Sequence, residues 1–463
     1  MIVQTLPPRR LKGPARGLIA AGLGLLVVLS ACQDVTVPKP PLQTQVAPLP
    51  APPPEPAIEE TSTNVETFRA ETAVTRVDLS RGARVALLLP LSGRHARAGQ
   101  ALLNAAQIAL FDIAGDKFTL VVRDTAGTPQ GAQAALRSAL MEGVHLVLGP
   151  LFATSVAAIA PEVRAAGLTT IAFSNDRSVA GDGVFVMGLA PRPQVYRMIG
   201  FARSQGLTRF AVLAPRTPYG DAVIQALQEA TLRYGLELSK IVSYPPDAAD
   251  LSAEVRLLGN YDARRQALVA QRRILAARPD DASQLALKRL DRLETLGAPD
   301  FQAVLLPAGG QRLQAIAPML AYFDIDPAEV RYLGTSQWEN PEISKEPVLA
   351  GGWFTAPPPE LWANFQVRYK DTYGSPPPRV ATLAYDAAAL AAVLTRSAYG
   401  AGREPDFSLQ ALTQPSGFSG VDGAFRFLLS GEVERQLAIL TVRKGGGFEV
   451  LDPAPLGFGQ LIN

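Results

Sequence analysis

The chain reads as an α/β protein, built from two doubly wound parallel-sheet lobes behind a proline-rich leader. Three observations predict this. Short, nearly continuous apolar runs such as Arg84–Pro90 (RVALLLP) have the length and lack of alternation of strands covered on both faces. Amphipathic stretches of helical period separate them. The alternation occurs as two successive series, and strand–helix alternation implies parallel strands joined by right-handed crossovers.

In the first series, strand Arg84–Pro90 precedes helix Ala98–Phe111, and strand Phe118–Thr125 precedes helix Pro129–Glu142, which has proline near its start. Strand Val144–Pro150, helix Ser155–Ala166 and strand Thr169–Phe173 complete it. The second series begins after Pro191. Helix Gln194–Gln205, strand Phe210–Ala214, helix Gly220–Tyr234 and strand Leu238–Tyr244 come first; strand Phe301–Leu306, helix Arg312–Phe323 and strand Val330–Leu333 follow. Residues 250–297 interrupt the rhythm. They are helical in period and dense in charge, with Arg264, Arg265, Arg272, Arg273, Arg289 and Arg292 against Asp280, Asp281, Asp291 and Glu294. Such a stretch is either a solvated helical excursion or a docking surface for a protein.

The predicted organisation is a signal segment over 1–31, a tether over 32–80, a first lobe of 81–190 plus 356–432, and a second of 191–355 plus 433–463. Crossings between lobes are predicted near Leu189–Pro191, Thr355–Pro357 and Glu432–Gln436. A ligand would sit between the lobes, beyond the carboxyl ends of the strands.

Arg9, Arg10, Lys12 and Arg16 form a basic start, and Gly17–Leu29 is an apolar run too short for a comfortable membrane span, as in a secretory signal. It ends in Leu29-Ser30-Ala31-Cys32, which resembles a bacterial lipobox, and Cys32 is the only cysteine of the 463 residues. The resemblance implies acylation of Cys32 and a lipid anchor in the membrane; several acyl chains hold where one does not. Gln33 follows the cysteine and Asp34 comes one place later. Because Asp directly after the cysteine is the inner-membrane retention signal, the periplasmic face of the outer membrane is the predicted location. Pro38, Pro40, Pro41 and the cluster from Pro48 to Pro56 favour disordered or extended polyproline chain. At ~3.1 Å per residue where extended, the tether would place a domain tens of ångströms from the membrane; otherwise it is a disordered leader without consequence.

Composition narrows the functional classes. Hydrophobic residues make up 48% and charged residues 19%, enough aliphatic content for a large core. The net charge of +2 becomes −2 without the first 31 residues, which leaves no electrostatic footprint for nucleic acid. One cysteine precludes an internal disulfide, and with only His95 and His145 beside it a Cys/His zinc site has too few ligands. Gly417-Phe418-Ser419-Gly420 is not a nucleophile elbow, and Gly181-Asp182-Gly183 lacks the glycine and helix of a phosphate loop. Asp124 closes a strand and reads as a turn or cap. No catalytic residue, metal or cofactor is called for.

A series of landmarks then runs through the body in order: Pro90-Leu91-Ser92-Gly93, Gly99, Asp124, Gly149-Pro150, Pro218-Tyr219-Gly220, Ala384-Tyr385-Asp386-Ala387, and Gly417–Gly420 before Phe425 and Gly431. Together they resemble type I periplasmic binding proteins of the leucine/isoleucine/valine-binding class. More narrowly, LLLPLSG (Leu87–Gly93), GPLFATSV (Gly149–Val156), IAFSND (Ile171–Asp176), LGTSQW (Leu333–Trp338), GGWF (Gly351–Phe354) and the excursion before FQAVLLPAGG (Phe301–Gly310) resemble the penicillin-binding protein activator group of that class. The best-known members of that group carry an N-terminal helical-repeat domain; a proline-rich stretch stands in its place here.

The resemblance implies where a ligand would bind. Amino-acid binders of the class place a hydroxyl where Ala153 stands, a threonine where Asp176 stands, and an acid near the later glycine, where Gly334 is followed by Thr335 and Ser336. A buried ammonium needs an anion and a carboxylate needs donors, so an ordinary α-amino acid is disfavoured. Ser92, Phe152, Thr154, Ser174, Asn175, Asp176, Tyr219 and Gln337 are the candidate cleft residues, suited to a small polar ligand such as a sugar or peptide-like molecule, or else to closing strand ends and lobes. Two functions are thus expected. One is a lipid-anchored regulator of peptidoglycan synthesis that binds and activates a bifunctional synthase. The other is a solute-binding lipoprotein of an ABC importer, able to close on its ligand by hinge motion.

Overall fold

The computed structural model describes residues 82–458. The predicted signal segment, the predicted lipidation site Cys32 and the predicted tether lie outside the described residues.

The first lobe opens with β1 (Ala83–Leu89), α1 (Ala96–Ile113), β2 (Phe118–Asp124), α2 (Pro129–Leu140), β3 (Leu146–Leu148), α3 (Ala153–Ala165), β4 (Thr169–Ala172) and β5 (Val184–Val186). The five strands form a parallel sheet in the order 2-1-3-4-5. The central strand shows why the sequence is apolar at successive positions. Val85, Leu87 and Leu89 pack with α1 on one face, while Ala86 and Leu88 pack with α2 and α3 on the other. Both faces are covered, so no polar alternation survives. Pro129 starts α2, where the missing N–H is harmless, and the Thr128 hydroxyl accepts from the Gly131 N–H as a cap.

The second lobe runs through α4 (Pro191–Ser204), β6 (Arg209–Pro215), α5 (Pro218–Tyr234), β7 (Glu237–Tyr244), α6 (Ser252–Leu258), α7 (Tyr261–Ala276), α8 (Asp281–Leu290), β8 (Ala303–Leu305), α9 (Gly310–Tyr322), β9 (Arg331–Gly334) and β10 (Trp353–Ala356). The chain then returns to the first lobe with α10 (Pro359–Tyr373), α11 (Ala381–Gly400), the short α12 (Leu409–Leu412) and the hairpin β11 (Phe425–Phe427) and β12 (Val433–Arg435). Leu383, Ala384, Ala387, Phe425, Phe427 and Val433 share the core of β1 and α1. β13 (Ala438–Val442) and β14 (Phe448–Asp452) finish in the second lobe.

The second sheet has the order 14-13-10-9-8-6-7. Its strands β10, β9, β8, β6 and β7 are parallel, but β13 runs antiparallel to β10, and β14 to β13. For β14 the reason is its short link to β13. A handful of residues including Gly445, Gly446 and Gly447 can make a hairpin but not a crossover helix.

Residues 250–297 form α6, α7 and α8 between β7 and β8. Arg264 fastens this excursion to the lobe: its guanidinium donates to the carbonyls of Gly297 and Gly259 and pairs with Asp324 at 3.0 Å. Three links pass between the sheets, after β5, β10 and β12. The first is clamped by Gln194, buried on α4, whose amide N–H groups donate to the carbonyls of Leu189 and Ala190. The third is held by Arg197, which donates to the Leu437 carbonyl at 2.8 Å. Among the described residues no helix is long and apolar enough to cross a membrane.

Candidate ligand cleft

The loops at the carboxyl ends of β3, β4 and β9, the first link, and the N-terminus of α5 converge on a cavity of about 530 Å³ between the lobes. Parallel strands direct their carboxyl-end loops to one edge, and the two edges face each other. Leu151, Phe152, Phe173, Ser174, Asn175 and Asp176 supply the first-lobe wall, and Tyr219, Ser336 and Gln337 face them from the second.

These positions have local causes. The chain leaves β3 through Gly149, at φ +85°, where an added Cβ would lie 2.3 Å from the Leu88 carbonyl oxygen. Only glycine fits so close to the neighbouring strand. Phe152 then precedes α3 and packs against the His95 ring, with centroids 4.6 Å apart. The Ser174 hydroxyl accepts from the Asp176 N–H, and the Asp176 carboxylate from the Ser178 N–H, so the loop after β4 is folded on itself. Tyr219 begins α5 and donates its hydroxyl to Thr335 Oγ1 at 2.9 Å. Burial pushes the phenol up to about 12, outweighing that hydrogen bond, so it is neutral near pH 7. The Gln194 side-chain oxygen accepts from the Ser336 N–H, which ties the loop after β9 to the first link.

Six of the eight candidate residues are thus brought together: Phe152, Ser174, Asn175, Asp176, Tyr219 and Gln337. Ser92 and Thr154 are not in this wall. The turn at Ser92 folds back on Asp124, whose carboxylate accepts from the N–H groups of Leu91, Ser92 and Ala126. Burial alone would raise the Asp124 carboxyl; the hydrogen bonds from the Ser92 side chain and these backbone groups outweigh it and hold the group low. Asp124 is a turn-former. Thr154 is exposed on the first turn of α3. His145 is structural as well, its Nδ1 accepting from the Arg84 N–H.

The wall also holds charged residues that the sequence did not single out: Arg379, between α10 and α11, and Asp422, before β11. Arg379 Nη1 lies 2.6 Å from Asp422 Oδ1, and its Nε 3.2 Å from Glu339 Oε2 of the second lobe. Thr382 Oγ1 donates to the other Asp422 oxygen at 2.7 Å. Burial raises the Glu339 carboxyl despite the opposing pull of Arg379. A smaller cavity of about 270 Å³ shares Asn175, Asp176 and Tyr219 with the cleft and extends past Pro191 and Pro218 toward Ala222 and Ala226 of α5.

The model of the periplasmic binding protein family matches residues 82–447. The chain belongs to that family. Solved periplasmic binding proteins share its fold at low identity. A putative branched-chain amino acid ABC transporter protein from Rhodospirillum rubrum superposes with a TM-score of 0.61 at 18% identity, covering 80% of this chain and 100% of its own. An ABC transporter substrate-binding protein from Sphaerobacter thermophilus gives 0.59 at 17%, covering 81% and 98%. Among curated relatives, an uncharacterized protein of Rickettsia prowazekii is 25% identical over 176 residues, 38% of this chain and 47% of that one. The penicillin-binding protein activator LpoA of Vibrio cholerae is 27% identical over 176 residues, 37% of this chain and 29% of the activator. The matches thus span less than half the length of these curated relatives. The cleft presents the rings of Phe152, Phe173 and Tyr219 beside amide and hydroxyl groups, and Arg379 between the carboxylates of Asp422 and Glu339.

Proposed function

We propose that this protein is an envelope lipoprotein that regulates peptidoglycan synthesis by binding and activating a penicillin-binding protein, and that it is not an enzyme. The observation that carries the reading is where the activator-like stretches fall. Leu87–Gly93, Ile171–Asp176 and Leu333–Trp338 each run from a parallel strand into the loop at its carboxyl end, and Gly149–Val156 is the loop after β3 with the first turn of α3. Four of the activator-like stretches thus lie at the carboxyl ends of strands, where the lobes face each other, while Gly351–Phe354 enters the start of β10; the 27% identity to the Vibrio cholerae activator supports the same reading. The lipid on Cys32 and the proline-rich tether would hold the two lobes at the periplasmic face of the outer membrane, within reach of a bifunctional synthase.

A second reading is favoured by the cleft itself. A cavity of about 530 Å³ between two intact lobes suits a small polar ligand delivered to an ABC importer. An ordinary α-amino acid fits poorly under either reading: Ala153 starts α3 without a hydroxyl, and Asp176 stands on the same wall, where it would repel a carboxylate.

Crosslinking and pull-down from native envelope, with the full-length lipidated protein and a Cys32→Ala control, separates the two. Recovery of a bifunctional peptidoglycan synthase, reduced in the control, supports the activator reading. Recovery of an importer permease and ATPase instead rejects it.

A further inference from the structure

Arg379 belongs to the first lobe and Glu339 to the second, so their ion pair joins the lobes across one end of the cleft. Each partner has a rigid support. Pro376, Pro377 and Pro378 restrict the backbone that delivers Arg379. The guanidinium carbon lies 4.4 Å from the centre of the Trp362 ring on α10, and Asp422, itself held by Thr382, fixes the group from the side. Glu339 directly follows Trp338, which is fully buried and donates Nε1–H to the Leu306 carbonyl at 3.1 Å. An arginine fixed on one lobe and a carboxylate fixed on the other meet only when the lobes are close together.

The pair is also built to release. Arg379 Nη2 is buried without a hydrogen-bond partner, and burial works against the charge on Glu339. Buried ion pairs repay their desolvation in full only when every group is satisfied, so this one favours closure by a modest margin that can be overcome. Arg379 keeps Asp422 and Trp362 when Glu339 withdraws, so the open state carries no isolated buried cation.

We propose that the Arg379–Glu339 pair is an interlobe latch that holds the cleft closed in the ligand-free protein. Closure is then a property of the chain itself, and a surface formed by both lobes is presented without a ligand. This holds under either reading of the function, since it concerns the resting state of the lobes.

Pulsed electron–electron distance measurements test it on the full chain carrying Cys32→Ser, with spin labels at Met141→Cys in the first lobe and Tyr322→Cys in the second. Both sites are exposed, at 84% and 77%. Without added ligand, the otherwise unaltered protein is expected to give one narrow distance distribution. Glu339→Ala and Arg379→Met should each add a longer distance, raising the open population about tenfold. Glu339→Ala leaves the first lobe untouched and keeps the test decisive if Arg379→Met fails to fold by circular dichroism. Distributions that superimpose for the unaltered protein and Glu339→Ala would overturn the latch, as would a distribution already broad before either substitution.

Discussion

Two of the arginine–carboxylate clusters among the described residues differ in what surrounds them. Arg435 and Asp386 lie inside the first lobe, with side chains 2% and 0% exposed. Arg435 Nη1 is 3.1 Å from Asp386 Oδ2, its other arm reaches the Met187 carbonyl, and Asp386 also accepts from the N–H groups of Val421 and Asp422. This cluster binds α11, the end of β5 and the start of the third link into one piece. Arg379 is 28% exposed and divides its contacts between its own lobe and the other. A charge pair enclosed within a lobe acts as a weld. A pair shared between lobes at the edge of water can part and re-form, because solvent receives the separated charges.

The largest expected effect lies in the weld. Arg435→Met or Asp386→Leu leaves an uncompensated buried charge and should cost about 3–5 kcal/mol, read as a lower urea midpoint. Glu339→Ala, which leaves Arg379 paired with Asp422, should cost less than about 1 kcal/mol while changing the interlobe distance. Equal losses at the two sites would break the comparison.

The weld also carries a pH signature. Burial holds the Asp386 carboxyl up to about 6, against the pull of Arg435, while the unfolded value is 3.8. Over that interval the folded protein keeps a proton that the unfolded chain has lost. Stability from this group is therefore greatest below about pH 4, falls as the pH rises to about 6, and is level above. Thermal melts of Asp386→Asn should lack this slope, whereas an identical slope would assign it elsewhere.

Gly420→Ala places a Cβ 2.5 Å from the Asp386 carboxylate and should cost about 1–3 kcal/mol by crowding the weld. Tyr219→Phe takes the hydroxyl from Thr335 and should cost about 1 kcal/mol, without altering the interlobe distance. The smallest effect is expected for Arg273→Ala on the exposed face of α7, within about 0.5 kcal/mol of the unaltered protein by the same melts.

Much of this arrangement was legible before folding was considered. Strands covered on both faces announce themselves as apolar runs, so β1, β4 and β6 fall where periodicity places them, and the edge strands β2 and β7, only partly buried, do so as well. β5 was missed because its three residues, Val184–Val186, stand between Gly183 and Gly188 with little apolar sequence beside them, whereas β3 and β8, equally short, lie inside the longer runs Val144–Pro150 and Phe301–Leu306. Of the cleft, Phe152, Ser174, Asn175, Asp176, Tyr219 and Gln337 were recognisable because each follows a strand or opens a helix near a glycine or proline landmark. Ser92 satisfies the same description and is turned away by Asp124, a contact 32 residues distant that no local pattern records. Arg379, Glu339 and Asp422 escaped notice for a related reason. They stand 40 and 43 residues apart, on segments whose neighbourhood is set by the links between lobes.

The sequence by itself determined the alternation of strands and helices, the double series that makes two lobes, and the glycine and proline turns that close the strands. These follow from backbone sterics and from burying apolar faces, which act over a few residues at a time. Only the tertiary structure decided which charges meet. An ion pair acts across space, and whether it welds a core or latches a cleft depends on how much water remains around it once the sheets have packed.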